Sequence, residues 1–304
     1  MTAQHPSRTG FIGLGIMGGP MACNLRKGGY AVTGFSRSGV PQACRDAGVA
    51  PAASPAAVAA ASDVVILMVP DTPDVERVLF GPDGVSAGVK PGTVVVNMSS
   101  ISPAAEPANA LRLAERGAEY LDAPVSGGDV GAIAGTLSIM AGGKAEVFEA
   151  VRPVLACMGK TLSHIGPHGA GQTCKLANNM VGAMTLMAVA EALTFASKSG
   201  ADPAKVREAL LGGFAQSRIL EIHGKRMIER DFAPGFKIEL MQKDLNNALH
   251  SSRQLGLSLL GTSTAQQLFS AAVGLGGAQW DHSGIARAIE ALANHPITPD
   301  QADT

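Results

Sequence analysis

Residues 9–25 read TGFIGLGIMGGPMACNL. A short apolar run enters a turn spaced Gly13-x-Gly15-x-x-Gly18, and a helical pattern from Met17 to Lys27 leaves it. Alone, three glycines say little. Between a strand and a helix they are the fingerprint of a dinucleotide-binding βα turn. Glycines let the chain turn sharply and let its backbone approach a pyrophosphate, while the helix start offers free N–H groups and the positive end of its dipole. The turn Gly13, Leu14, Gly15, Ile16, Met17 and Gly18 is therefore the first expected cofactor contact.

The same alternation continues outward. YAVTGFSR (30–37), DVVILMVP (63–70), GTVVVNMSS (92–100) and AEYLDAPVSGG (118–128) read as strands, followed by TLSIMAGG (136–143) and TLSHIG (161–166). Continuous apolar runs such as Val64–Val69 suit strands buried on both faces, and alternation with helices implies a largely parallel sheet. After Gly166 the strand signals stop. Helices are expected at roughly 170–199, 203–212, 217–230, 237–255, 262–275 and 283–293, separated by Gly and Pro. The expected architecture is α/β: an N-terminal Rossmann domain over 1–168, then an all-helical domain over 169–304 for substrate binding and oligomerisation.

Composition narrows the function. The chain has 304 residues, 46% of them hydrophobic, only 16% charged, with a formal net charge of −1. No basic stripe is visible, which argues against nucleic acid as a partner. The start, MTAQHPSRTG, has no apolar signal core. The apolar run Met180–Ala196 is broken by Glu191 and follows Lys175 and two asparagines, so it reads as a core helix rather than a membrane span. The four cysteines, Cys23, Cys44, Cys157 and Cys174, show neither zinc spacing nor a disulfide framework. That fits a reducing compartment, the cytoplasm, and structural cysteines, Cys174 included.

The end of the second strand bears on the cofactor. NAD sites usually place an acid there for the ribose 2′-hydroxyl. Here Ser36 and Arg37 stand instead, and a hydroxyl with a cation suits a 2′-phosphate. NADP is the expected cofactor, with NAD as the alternative.

A nicotinamide enzyme must also manage one proton. The residues four after the two tyrosines, Tyr30 and Tyr120, are Gly34 and Pro124, so there is no Tyr-x-x-x-Lys pair. His164 and His168 flank Gly166-Pro167 and read as loop residues, not metal ligands. Lys175 remains, in the small and apolar stretch GPHGAGQTCKLANNMVGAM (166–184), with Asn178 and Asn179 three and four residues on, on the same side of a helix. Burial would lower a lysine pKa toward the range of a useful acid or base. Ser126, Gly127 and Gly128 offer a hydroxyl and accessible N–H groups, suited to a carboxylate. The plainer alternatives are a surface lysine and an ordinary turn.

These segments together resemble the β-hydroxyacid dehydrogenase family over nearly the whole chain. The motifs are FIGLGIMGGPMACNL (11–25), DAPVSGGDVGAIAGTLSIMAGG (122–143), GAGQTCKLANNM (169–180) and FKIELMQKDLNNAL (236–249). NMSSISP, GGFAQSRIL, ERDFAPGF and DHSGI are similar to the members that reduce 2-hydroxy-3-oxopropionate. The resemblance implies Lys175 as the catalytic lysine, Ser126, Gly127 and Gly128 as the carboxylate loop, and Asn179, with Asn178 beside it, as a substrate amide. It further implies Val69 and Pro70, with Asp74 further along that loop, as cofactor-lining residues, Ser100 as a hydroxyl near the nicotinamide, and Lys243 as a lysine of the second domain over the cofactor. Members are homodimers or homotetramers with small carboxylate semialdehydes or 3-hydroxy acids as partners, and with an active site between the two domains. Asn97 departs from the aspartate usual before MSS, and Asn178-Asn179 from the commoner Asn-Gln. Related readings are oxidation of 3-hydroxyisobutyrate, L-threonate or a serine-like 3-hydroxy amino acid. A non-catalytic NADP-binding protein would have no use for Lys175 together with the Ser-Gly-Gly loop.

Overall fold

A computed structural model describes residues 8–299; the segment MTAQHPS lies outside them. The chain divides into two compact units between Lys175 and Leu176.

Among the described residues the first unit carries nine strands in one sheet. They are β1 (Arg8–Ile12), β2 (Ala31–Phe35), β3 (Ala50–Pro51), β4 (Val64–Leu67), β5 (Val94–Asn97), β6 (Glu119–Asp122), β7 (Val125–Ser126), β8 (Leu137–Gly143) and β9 (Gly159–Gly166). Its helices are α1 (Gly18–Lys27), α2 (Gln42–Asp46), α3 (Pro55–Ala60), α4 (Thr72–Phe80), α5 (Val85–Gly88), α6 (Glu106–Ala114), α7 (Gly128–Ala134) and α8 (Ala145–Leu155). The order is β3-β2-β1-β4-β5-β6-β8-β7, with β9 on β8. Strands β1 to β6 pair in parallel, and β8 runs antiparallel to β6 and β7. All four residues of β4 are buried, as a strand covered on both faces requires. The strand order reverses direction at β1, between β2 and β4, and an open α/β sheet binds its ligand at the carboxyl ends of the strands beside such a reversal. His164 is not a loop residue: it lies on β9, paired with Ala141, its Nε2 2.8 Å from Gly143 O.

The long helix α9 (Ala170–Lys198) begins in the first unit and continues into the second. The second unit adds α10 (Pro203–Leu211), α11 (Arg218–Glu229), α12 (Ile238–Gln254), α13 (Leu260–Gly274) and α14 (Ile285–Ala293). By length and composition α9 would suffice to cross a membrane. Its Ala183, Leu186, Ala190 and Leu193 instead join Leu220, Leu245, Phe269 and Ile285 in the core of this unit.

Candidate active site

The three glycines after β1 do three different jobs. Gly13 has φ +95°, and a Cβ there would come 2.2 Å from Met68 O, so the turn demands glycine. Gly15 has nothing within 4 Å of where a Cβ would be, which leaves open space beside its backbone. A Cβ on Gly18 would lie 1.9 Å from Gly13 O, so glycine lets α1 pack against its own turn. No side chain caps the start of α1. The Gly19 N–H already returns to Gly15 O and Pro20 has none, so the donors for a pyrophosphate are those of the turn up to Gly18, beside an open cradle, and the residues present fit the dinucleotide.

Around this turn the other expected cofactor residues gather on the loops that leave β2, β4 and β5. Ser36 and the exposed Arg37 follow β2. Val69 and Pro70 follow β4, and the Val69 N–H donates to Ser99 Oγ at 2.9 Å, tying that loop to the one carrying Ser100. Asp74 lies in the first turn of α4 rather than on the loop, where it pairs with Arg77 at 2.9 Å. The loop carboxylate is Asp71, which caps α4 through the Thr72 N–H.

Ser126 ends β7, opposite Ser138 of β8. Gly127 and Gly128 follow with φ +137° and +63°, values that L side chains avoid, and Gly127 is exposed.

Lys175 sits in the second turn of α9, and it is only 8% exposed. The start of this helix is held by groups that sequence reasoning did not single out. Asp122, at the end of β6, accepts from the N–H groups of Gly169 (2.8 Å) and Gln172 (3.0 Å). Gln172 donates to Ser99 O and to Glu106 Oε1, both at 2.8 Å, and accepts from the Ile101 N–H at 3.1 Å. A Cβ on Gly171 would lie 2.3 Å from Met140 O, so this glycine lets the helix start lie against β8. Cys174, expected as a buried structural cysteine, is part exposed.

In the second unit, Asn179 is buried and Asn178 exposed. Asn178 donates to Asn179 Oδ1 at 3.0 Å, and Asn179 donates to Asp244 Oδ2 at 2.6 Å. Asp244 Oδ1 also lies 3.2 Å from Lys243 Nζ. One buried carboxylate thus joins two of the expected residues, Asn179 and Lys243. The sequence clue to it was its position directly after Lys243 in QKDL.

Among the described residues one cluster has the composition of a metal site, His223, Asp281 and His282, with ligand atoms within 4.8 Å. Asp281 is already fully engaged. Its Oδ1 accepts from the N–H and Oγ of Ser283, and its Oδ2 accepts from the N–H groups of Gly235 and Phe236, with Arg226 at 3.4 Å. Burial would raise its carboxyl, but His223, His282, Ser283 and the Phe236 N–H outweigh that and hold it below the usual carboxylate range. Its role is to organise the loops before α12 and α14.

A family model described as the NAD binding domain of 6-phosphogluconate dehydrogenase matches residues 8–166. A second, described as NAD-binding of NADP-dependent 3-hydroxyisobutyrate dehydrogenase, matches residues 169–289. The chain is 51% identical to 2-hydroxy-3-oxopropionate reductase of Escherichia coli, across 95% of this chain and 99% of that one. It is 38% identical to 2-(hydroxymethyl)glutarate dehydrogenase of Eubacterium barkeri, across 97% and 98%. Among solved structures, Mycobacterium tuberculosis 3-hydroxyisobutyrate dehydrogenase with L-serine aligns with a TM-score of 0.84 and 32% identity, covering 93% of this chain and 99% of that one.

Proposed function

The chain belongs to the β-hydroxyacid dehydrogenase family, and from that premise we propose that it reduces 2-hydroxy-3-oxopropionate to glycerate with NADPH, reversibly. It is an NAD(P)-dependent oxidoreductase acting on CH–OH groups, with a nicotinamide dinucleotide as cofactor. The observation that carries the choice of substrate is the match to the Escherichia coli reductase, half identical over almost the full length of both chains. The solved relative with L-serine favours a second reading, oxidation of a 3-hydroxy amino acid.

The bound nicotinamide supplies or takes the hydride. The chain manages the rest. Ser126 and the backbone at Gly127 and Gly128 hold the substrate carboxylate. Lys175 gives its ammonium proton to the oxygen that becomes the new hydroxyl, and as an amine takes that proton back in oxidation. With only 8% of Lys175 exposed, water screens this charge less than at the surface. Asn178, Asn179 and Lys243 are proposed as further substrate and cofactor contacts.

The test is NADPH oxidation with a panel of carboxylate semialdehydes, set beside NADP reduction with serine, threonate and 3-hydroxyisobutyrate. 2-Hydroxy-3-oxopropionate should give the highest kcat/KM; a higher value for serine would favour the second reading. Ser126→Ala should lower kcat/KM for the acid about ten-fold, the worth of one hydrogen bond to a charged group. An uncharged aldehyde of similar size should be a poor substrate for the native enzyme. If it reacts as fast as the acid, the loop is not a carboxylate site.

Cofactor choice rests on the exposed Arg37 beside Ser36. A charge-assisted bond to the 2′-phosphate is worth about 1.5–3 kcal/mol. Arg37→Ala should therefore weaken NADPH about ten-fold or more in a fluorescence titration and leave NADH unchanged. Equal weakening of both would remove Arg37 from the phosphate.

A further inference from the structure

The carboxylate of Glu106, on α6, is fully buried and takes four side-chain donors. Its Oε2 accepts from Tyr120 Oη at 2.6 Å and Asn109 Nδ2 at 3.5 Å, and its Oε1 from Asn97 Nδ2 at 3.1 Å and Gln172 Nε2 at 2.8 Å. Gln172 in turn holds Ser99 O and the Ile101 N–H, the residues either side of Ser100. On α9, Gln172 and Lys175 are three apart and share a side of the helix. One amide therefore links the helix turn just before the lysine to the loop after β5, and one carboxylate holds that amide.

We infer that Glu106, acting through Gln172, is a positioning residue for Lys175, and that it holds this geometry in its ionised form. This rests on the reading of Lys175 as the proton donor. Three of the four partners, the amide nitrogens of Asn97, Asn109 and Gln172, can only donate, which matches an acceptor carboxylate, while the Tyr120 hydroxyl can donate or accept. A protonated Glu106 keeps its contacts only by turning its own O–H to Tyr120, which reverses that 2.6 Å bond and weakens the acceptor that the amides share. The Asn97 amide matters for the same reason, since an aspartate there would bring another carboxylate against Glu106.

The other titratable groups around Glu106 are Tyr120 and Asp122 of β6, with His168 beside them in the turn before α9. Burial raises the Glu106 carboxyl first and the charge of Asp122 raises it further; Tyr120, Gln172 and Asn109 offset part of this and leave it at about 7. Burial also raises Asp122 and lowers His168. Two effects of Glu106 then run in opposite directions. Turnover should rise with pH through about 7 as the carboxylate forms. The stability due to this carboxyl should be full below the unfolded value of about 4.3 and be lost as pH rises through about 7, because the native state binds the proton more tightly than the unfolded chain.

The experiment is kcat against pH, and melting temperature against pH, for the native enzyme with its best semialdehyde and for Glu106→Gln, Tyr120→Phe and Lys175→Ala. In Glu106→Gln the acid limb near neutrality should vanish, the plateau should fall about ten-fold or more from misplacement of the lysine, and this carboxyl's share of the fall in stability from pH 5 to 7 should disappear. NADPH affinity should fall much less than turnover; a fall as large as that in turnover would place the effect in the loop carrying Ser100, which Gln172 also holds, and would overturn the inference. Tyr120→Phe removes a donor to the carboxylate, so the limb should move to higher pH, which a purely structural defect would not do. If Glu106→Gln does not fold, Tyr120→Phe decides. A native plateau and native limb in Glu106→Gln, or an unmoved limb in Tyr120→Phe, would overturn the inference while large loss in Lys175→Ala left the proton-donor reading standing. Near-native turnover in Lys175→Ala would overturn that reading instead.

Discussion

Lys175→Ala should lose about 10²–10⁴-fold in turnover, the contribution typical of a positioned acid or base, while keeping its fold and its NADPH affinity. The alkoxide that forms as hydride arrives needs both a proton and a nearby positive charge, and an ammonium supplies both. The side chain is 8% exposed on a helix whose start is anchored by Asp122 and Gln172, so it cannot drift to a second position at little cost. Lys175→Arg should not restore the rate. A guanidinium keeps the charge but is too weak an acid to share its proton near neutral pH, and its planar fork does not fit the place of a compact ammonium. Measuring kcat for native, Ala and Arg forms, with NADPH affinity from fluorescence as control, separates these effects. Near-native turnover in the Ala form would make Lys175 an ordinary buried lysine.

Much of the fold was legible because it follows from local patterns. The period-2 and continuous apolar runs named seven of the nine strands, the exceptions being the two-residue β3 and the separation of β7 from β6. In the second half, Gly and Pro at the breaks placed helices such as α10 and α12 within one or two residues. Departures came where tertiary pairing decides. His164 lies within TLSHIG, which the pattern reads as a strand; the loop reading taken from the Gly166-Pro167 pair is the one that pairing with β8 overturns. Asp74 follows a Pro-containing turn, yet the Asp71 cap starts α4 ahead of it.

For the candidate site, the glycine turn stands out by its spacing and Lys175 as the one formal charge in a small and apolar stretch. Glu106, Asp122, Gln172 and Asp244 do not stand out, because they act by being buried beside partners far away in sequence. Glu106 and Gln172 are 66 residues apart, and Asn179 and Asp244 are 65. Nothing about an acid before a proline says that it will meet four side-chain partners. For Gln172 the available hint was helical phase: it lies on the lysine's side of α9, and a polar residue there has to be satisfied once that side is buried.

Gly15→Ala should lower dinucleotide affinity on the order of 10²-fold and leave the melting temperature nearly unchanged. The two effects separate because Gly15 is glycine for the ligand and Gly18 is glycine for the protein. A Cβ at Gly15 meets no atom of the chain within 4 Å, so the folded state accommodates it. The same methyl would stand in the proposed cradle and hold the pyrophosphate away from the N–H groups of the turn. Bonds to a charged group are worth about 1.5–3 kcal/mol each, and every 1.4 kcal/mol is about a factor of ten. Gly18→Ala should behave in the opposite way. Its Cβ would lie 1.9 Å from Gly13 O, a backbone atom that no rotamer change can move aside. Overpacking of this kind costs about 1–3 kcal/mol, so this variant should melt lower before any ligand is added. Titration of NADPH and NADH into both variants, beside thermal melts without ligand, gives the comparison. Native affinity in Gly15→Ala for both cofactors would place the pyrophosphate elsewhere than this turn.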